Sequence, residues 1–269
     1  MEIKMQSQPL VIIGAPRSGT TFLCNVLNQH PLIELTDESR IFVCIKDLIE
    51  SRSARPDLIG VAFHDRFTRF VRDRAGGWIE DFYRNELGFT APIWGDKHPP
   101  YADPALLSGR RGSVERLPRS GSALRLIRSV LPTAKFIHIH RDPRDVAFSL
   151  MGRGWTPSVE DGVQVWRQYV TEITEFFAEI DADHQLTIAY GDLLEAIEPS
   201  AAVLGRFLGL ADWSAIAAFL QAQRRHPTPF SNPVTNLAAV VRSRVVRPHN
   251  RRALALAGET AERLGYAVS

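Results

Sequence analysis

The chain has 269 residues, 45% of them hydrophobic, enough to bury one large core, and a single domain over 1–269 is expected rather than two small ones. Its 32 Lys and Arg face 30 Asp and Glu, a net charge of +2, which excludes the global positive field of a general nucleic-acid binder and makes any anion site local. Two cysteines, Cys24 and Cys44, exclude a disulfide framework; both lie in apolar, helix-like stretches, where buried free thiols and a reducing compartment are expected.

The polar start Met1–Pro9 and the short apolar run Leu10–Ile13 do not make a signal-peptide core or a membrane span, so a cytoplasmic location is expected. Leu10–Ile13, closed by Gly14 and Pro16, suits a buried parallel strand. From Ser18, Phe22, Leu23, Val26 and Leu27 recur at helical spacing, and Pro31 stops the helix near His30. A second helix is expected from Asp37 or Glu38 towards Glu50, and a third over Phe63–Phe89 with its aromatic residues facing inward. Ser108–Ser122, rich in Gly, Ser and Arg, reads as a surface loop. Lys135–His140 is a strand, and a helix follows the Pro143 turn over Asp145–Met151. Ser158–Ile180 is a long helix with Trp166 and Tyr169 in the core, Leu186–Tyr190 a third strand, and Leu193–Leu208 a helix with Gly209 near its end. The segment 225–269 gives little basis for assignment. Strands separated by helical stretches imply an α/β fold, a central parallel sheet flanked by helices in three layers.

Gly14-Ala15-Pro16-Arg17-Ser18-Gly19-Thr20-Thr21 stands between a strand and a helix, where a phosphate-binding loop belongs. The two glycines let the backbone turn its N–H groups inward, and the helix N-terminus adds about half a positive charge. The spacing is P-loop-like, but Thr20 occupies the lysine position of G-x-x-x-x-G-K-[ST] and the cation is Arg17, which argues against ordinary ATP chemistry. A second positive charge, Arg141, ends the Lys135–His140 strand, with Ser149 eight residues on. The two together suit a second phosphate, whereas a local Arg141–Asp145 ion pair is the plainer alternative. His138 and His140 share a strand face, a spacing open to metal ligands, but no third ligand is evident and no metal is expected.

APRSGTTFL and FIHIHRDPRDVAFSL resemble the two nucleotide signatures of the PAPS-dependent sulfotransferase superfamily, PAPS being 3'-phosphoadenosine 5'-phosphosulfate. The arginine form of the first loop, followed by QHP and DESR, most resembles the bacterial carbohydrate-type and tyrosyl-protein branches. The resemblance spans roughly residues 10 to 210 and is specific in the two loops. It implies that Arg17, Ser18, Gly19, Thr20 and Thr21 hold the 5'-phosphosulfate and Arg141 and Ser149 the 3'-phosphate, with Tyr190 of AYGDLL near the nucleotide. It further implies in-line transfer of the sulfuryl group to an acceptor hydroxyl, leaving adenosine 3',5'-bisphosphate. By resemblance Arg17 faces the leaving phosphate and Lys97, in WGDKHPPY, the bridging oxygen or the sulfuryl group. Glu38 of DESR matches the general base of the tyrosyl-protein branch; His98 competes as the histidine base of the small-molecule branch, one position out of step. Arg40 then orients Glu38 or contacts the acceptor. The acceptor, a small molecule, carbohydrate, lipid or peptide, and the oligomeric state are open. A nucleotide-dependent kinase on the same loop, or a non-catalytic nucleotide-binding protein, are the alternatives.

Overall fold

The computed structural model describes residues 6–50, 61–103, 122–225 and 247–266, so the Ser108–Ser122 loop lies, but for its last residue, outside the described residues. The chain runs β1 (Gln8–Ile13), α1 (Thr20–Leu27), β2 (Ile33–Asp37), α2 (Ile41–Glu50), α3 (Val61–Asp81) and a π turn (Phe82–Glu86). Next come β3 (Ile93–Lys97), a 3₁₀ turn (Pro99–Ala102), α4 (Leu124–Val130), β4 (Lys135–His140), α5 (Pro143–Gly152) and α6 (Val159–Phe177). It closes with β5 (Gln185–Ala189), α7 (Tyr190–Glu195), α8 (Ile197–Leu208), α9 (Ser214–Arg225) and α10 (Arg247–Arg263), the last bent at Gly258.

The strands pair in parallel in the order β2-β3-β1-β4-β5. In β1 successive side chains point to opposite faces, and both faces are dry: Val11 and Ile13 join one cluster, Leu10 and Ile12 the other, all fully buried. The first face carries Phe42, Val71, Leu124, Val146 and Trp166 from α2 to α6, with Ala257 from α10. The second carries Phe22, Leu193, Leu204 and Leu220 from α1, α7, α8 and α9. The result is the expected three-layer α/β fold. Because the strands are parallel, their C-terminal ends share one edge, and the chain steps from β1 to one side for β2 and β3 and to the other for β4 and β5. The crevice between β1 and β4 is therefore the switch point where such sheets bind ligands.

The structure corrects four expectations. No helix starts at Asp37 or Glu38: Ile33 and Leu35 alternate with Glu34 and Thr36, the chain pairs with β3 as β2, and helical structure resumes only at Ile41. On α3 the buried stripe is Val71, Ala75 and Ile79, while Phe63, Phe67, Phe70 and Trp78 are exposed. The cause is close approach: a Cβ on Gly76 would lie 2.1 Å from the Val130 carbonyl oxygen, so small residues take the α3–α4 contact and the rings stay outside. The helix expected over Leu193–Leu208 is two, α7 and α8, broken at Ala196 (φ −116°, ψ 59°). Cys24 is buried as expected and its thiol is pushed up to about 12 by burial, but Cys44 is exposed.

Gly95 lies in β3 where a Cβ would stand 1.9 Å from the Leu10 carbonyl oxygen of β1. Gly95→Ala is expected to destabilise the protein by about 3 kcal/mol or more by forcing these strands apart, whereas Gly191→Ala, where a Cβ meets nothing within 4 Å, stays within about 1 kcal/mol of wild type in urea denaturation. His138 and His140 of β4 point into the α6–α10 layer, His140 Nδ1 2.8 Å from the Tyr266 hydroxyl. Burial pushes them down to about 3 and about 4 respectively, from 6.5. Both fold neutral, so their contribution to stability is complete above pH 6.5 and is lost as the pH falls, by about 1.4 kcal/mol per pH unit for each histidine until its folded value is reached. Urea denaturation at pH 7 and pH 5 measures this loss, and His138→Leu, which removes one of the two groups, is expected to make it smaller.

Candidate active site at the strand ends

β1 ends in the loop Gly14–Gly19, where Ser18 N–H donates to the Ala15 carbonyl at 3.1 Å. Gly19 (φ 100°) precedes α1, and among the described residues no side chain caps the helix, so its first-turn N–H groups are open to a ligand. A Cβ on Gly19 would meet the Tyr190 ring at 2.3 Å; its absence lets the end of β5 close on the loop. Arg17 Nε donates to Ser149 Oγ at 3.0 Å, tying the first loop to α5. Arg141 stands 5.0 Å from the centre of the Tyr190 ring and pairs with Asp145 at 3.1 Å, so the local ion pair forms as well. Its carbonyl accepts from Trp166 Nε1 at 3.0 Å, fixing the turn after β4. Burial first, then the like charges of Arg153 and Arg141, push the Arg17 guanidinium below the usual arginine range. Three guanidinium groups thus crowd the switch point, a donor set that fits phosphate or sulfate.

The opposite wall comes from β2 and β3. Glu38 N–H donates to the Lys97 carbonyl at 2.8 Å, extending the strand pairing by one residue. Lys97 is 1% exposed; its ammonium pairs with Asp37 and, at 2.9 Å, with Glu38 Oε1. Asp96 beside it is fully buried and accepts four hydrogen bonds, from Thr36 Oγ1 (2.7 Å), Ser39 N (3.2 Å), Ser39 Oγ (2.8 Å) and the Tyr101 hydroxyl (2.5 Å). His98 is 5% exposed and packs 4.7 Å from the Tyr101 ring, its Nδ1 buried with no hydrogen-bond partner among the described residues. Burial dominates its titration and lowers it below the usual histidine range, although Asp96 and Glu38 pull the other way.

Arg17 (φ 75°), Glu38 (φ 64°) and Arg40 (φ 63°) are the non-glycine residues with positive φ among the described residues. Each such residue costs about 1–3 kcal/mol, and strain of this kind persists where the surroundings over-determine it. All three were named from the sequence as site residues.

Between the two walls lies a cleft of about 230 Å³ lined by Arg17, Gly19, Thr20, Thr21, Glu38, Arg141 and Tyr190, with Pro16, Phe22, Pro99, Pro100 and Trp155. The other expected residues stand off this lining. Ser18 is buried in the loop, Ser149 reaches the site through Arg17, Lys97 and His98 sit behind Glu38, and Arg40 is exposed on the turn. Sequence reasoning missed Trp155, 59% exposed at the cleft, and Arg153 with its guanidinium 5.8 Å from that ring. The available signal was the Arg153-Gly154-Trp155 turn after α5, with Gly154 at φ 69°. It also missed Asp37 and Asp96, for which the sequence carries no signal beyond their adjacency to Glu38 and Lys97.

The profile described as "Sulfotransferase family" matches residues 9–215, more than half of the chain. The nodulation protein NoeE of Sinorhizobium fredii is 27% identical over 158 residues, 57% of this chain, and the match spans only about a third (34%) of that protein. Among solved structures, the sulfotransferase domain of the Synechococcus PCC 7002 olefin synthase superposes with a TM-score of 0.54 at 19% identity, covering 80% of this chain and 78% of that one. Sulfotransferase STF9 from Mycobacterium avium does so with a TM-score of 0.52 at 14% identity, covering 83% and 69% respectively. These superpositions carry the fold, and the profile carries the family. By the extent of that match, with the P-loop-like strand, loop and helix in place at its start, the chain belongs to the sulfotransferase family.

Proposed function

We propose that the protein moves the sulfuryl group of PAPS to an acceptor hydroxyl. The observation that carries this reading is one cleft that joins the anion loop, Arg141 and Tyr190 on one wall to the Glu38 carboxylate on the other. The α1 N-terminus with Arg17, Gly19, Thr20 and Thr21 holds the 5'-phosphosulfate, Ser18 shapes the loop, and Arg141 with Ser149 takes the 3'-phosphate. Tyr190 packs against Gly19 and under Arg141, setting the floor of the nucleotide site.

Transfer requires an acceptor oxygen to form a bond to sulfur as the bond from sulfur to the phosphate oxygen breaks, with that phosphate keeping the electron pair. Glu38 takes the acceptor proton and Arg17 stabilises the charge that grows on the phosphate, a division of labour in which positioning and electrostatics carry the catalysis. Lys97 holds Glu38 by the 2.9 Å ion pair and brings positive charge beside the acceptor oxygen; its burial favours this orienting role over direct contact with the donor. His98, buried and off the cleft, is the weaker base candidate. Arg40 stands on the exposed side of the same turn, where it is available to the acceptor. The kinase alternative gains no support from the acidic residue after β4, because Asp142 caps α5 through Arg144 N at 2.8 Å and pairs with the Arg144 side chain.

Calorimetric titration with adenosine 3',5'-bisphosphate is expected to give metal-independent, roughly micromolar binding, weakened at least about 10-fold in Arg17→Ala and in Arg141→Ala. Binding of ATP with magnesium in place of the bisphosphate would overturn the reading. In PAPS-cleavage assays against oligosaccharide, tyrosyl-peptide and fatty-alcohol acceptors, Glu38→Gln is expected to lower turnover about 100-fold or more while bisphosphate affinity stays within about twofold. His98→Gln is expected to cost far less than Glu38→Gln, and the reverse order would transfer the base to His98.

A further inference from the structure

A fully buried carboxylate is costly unless donors satisfy it, and Asp96 has four. They come from both sides of β3: Thr36 and Ser39 from the end of β2 and the turn after it, Tyr101 from the 3₁₀ turn that follows His98. Ser39 is bound twice, by its N–H and by its hydroxyl, and it is the residue between Glu38 and Arg40, the two that are forced to positive φ. The middle of the strained turn is thus the part that Asp96 grips. A second layer backs the grip, with the Tyr83 hydroxyl 3.2 Å from Thr36 Oγ1 and 3.3 Å from Ser39 Oγ. Burial, and then the Asp96 charge, push the Tyr101 phenol well above its usual range, so it remains a donor to the carboxylate.

Asp96 is not part of the cleft lining, and its carboxylate is occupied by these bonds, so it has no path to the reacting atoms. Resting on the assignment of Glu38 as base, we propose that Asp96 is the positioning residue of the transfer centre, its buried carboxylate clamping the Glu38–Arg40 turn so that Glu38 stands at the cleft wall against Lys97. The next residue in β3 is Lys97, which meets Glu38 through both its carbonyl and its ammonium, so one strand fixes the base from two sides. Hydrogen bonds to an ionised acceptor are stronger than neutral ones, which suits a clamp that must hold two left-handed residues.

The test is PAPS cleavage with glycerol as a plain aliphatic acceptor, in wild type, Asp96→Asn, Glu38→Gln and the double variant, alongside bisphosphate binding. Asp96→Asn keeps the shape of the side chain but sets a donor against the Ser39 and Tyr101 hydroxyls. It is expected to lower turnover about 10- to 100-fold with the KM for PAPS and the bisphosphate affinity within about twofold, and to add less than about twofold to the loss in Glu38→Gln. Unchanged turnover in Asp96→Asn, or an equal loss in both backgrounds, overturns the positioning role while leaving the base assignment standing. Full turnover in Glu38→Gln overturns the base assignment and this proposal with it. If Asp96→Asn unfolds early, Ser39→Ala removes one clamp bond at the turn; the same split between turnover and donor binding is expected, and wild-type turnover in Ser39→Ala overturns the proposal.

Discussion

Strand β3 lies between β1 and β2 with residue 95 passing so close to the Leu10 carbonyl that no Cβ fits. That contact sets the register on both sides: Lys97 stands opposite Ile12 of β1 and opposite Asp37 of β2. Everything at the carboxylate wall follows from it. Asp96 falls beneath the turn that leaves β2, Lys97 falls beside its two carboxylates, and His98 is carried on into the buried corner against Tyr101.

The cleft has two electrostatic halves because the sheet divides at β1. The ends of β1 and β4, with the turn after α5, contribute Arg17, Arg141 and Arg153; burial, and then the repulsion of Arg153 and Arg141, lowers the titration of Arg17. The ends of β2 and β3 contribute Asp37, Glu38 and Lys97, a group in which charges are already paired. The first half suits an anion, and under the proposed function the proton acceptor stands in the second, where the Lys97 ammonium offsets part of its charge. The positive-φ residues Arg17, Glu38 and Arg40 belong to these same strand ends. A sheet buried on both faces can hold such strain because its strands cannot shift to relieve it.

The likeness to other sulfotransferase structures is one of overall fold, while the resemblance legible in the sequence lies in two loops. Frame and loops answer to different demands. Close backbone packing such as that at Gly95 and Gly76 restricts side-chain size without specifying chemistry, whereas the loop from Gly14 to Thr21 gathers groups that suit an anion: N–H groups, one guanidinium and three hydroxyls.

By itself the sequence determined the elements whose signals are local. β1, β4 and β5 are apolar or β-branched runs bounded by turn residues, the anion loop is a spacing of glycines before a helix, and Arg141 and Ser149 are joined by one helix. It also pointed to Glu38 and Lys97, through a resemblance rather than through pattern. The tertiary structure alone decided β2 and β3, since the charges in IELTD and IWGDK do not read as strands of a buried sheet. A charge is tolerated in such a strand only when partners reach it, and here all but Tyr101 lie 57 to 60 residues away, at Thr36, Glu38 and Ser39. For the same reason the inward face of α3 and the presence of Trp155 at the cleft had no local signature. Each depends on which surfaces the fold brings together, a property of packing that no spacing along the chain encodes.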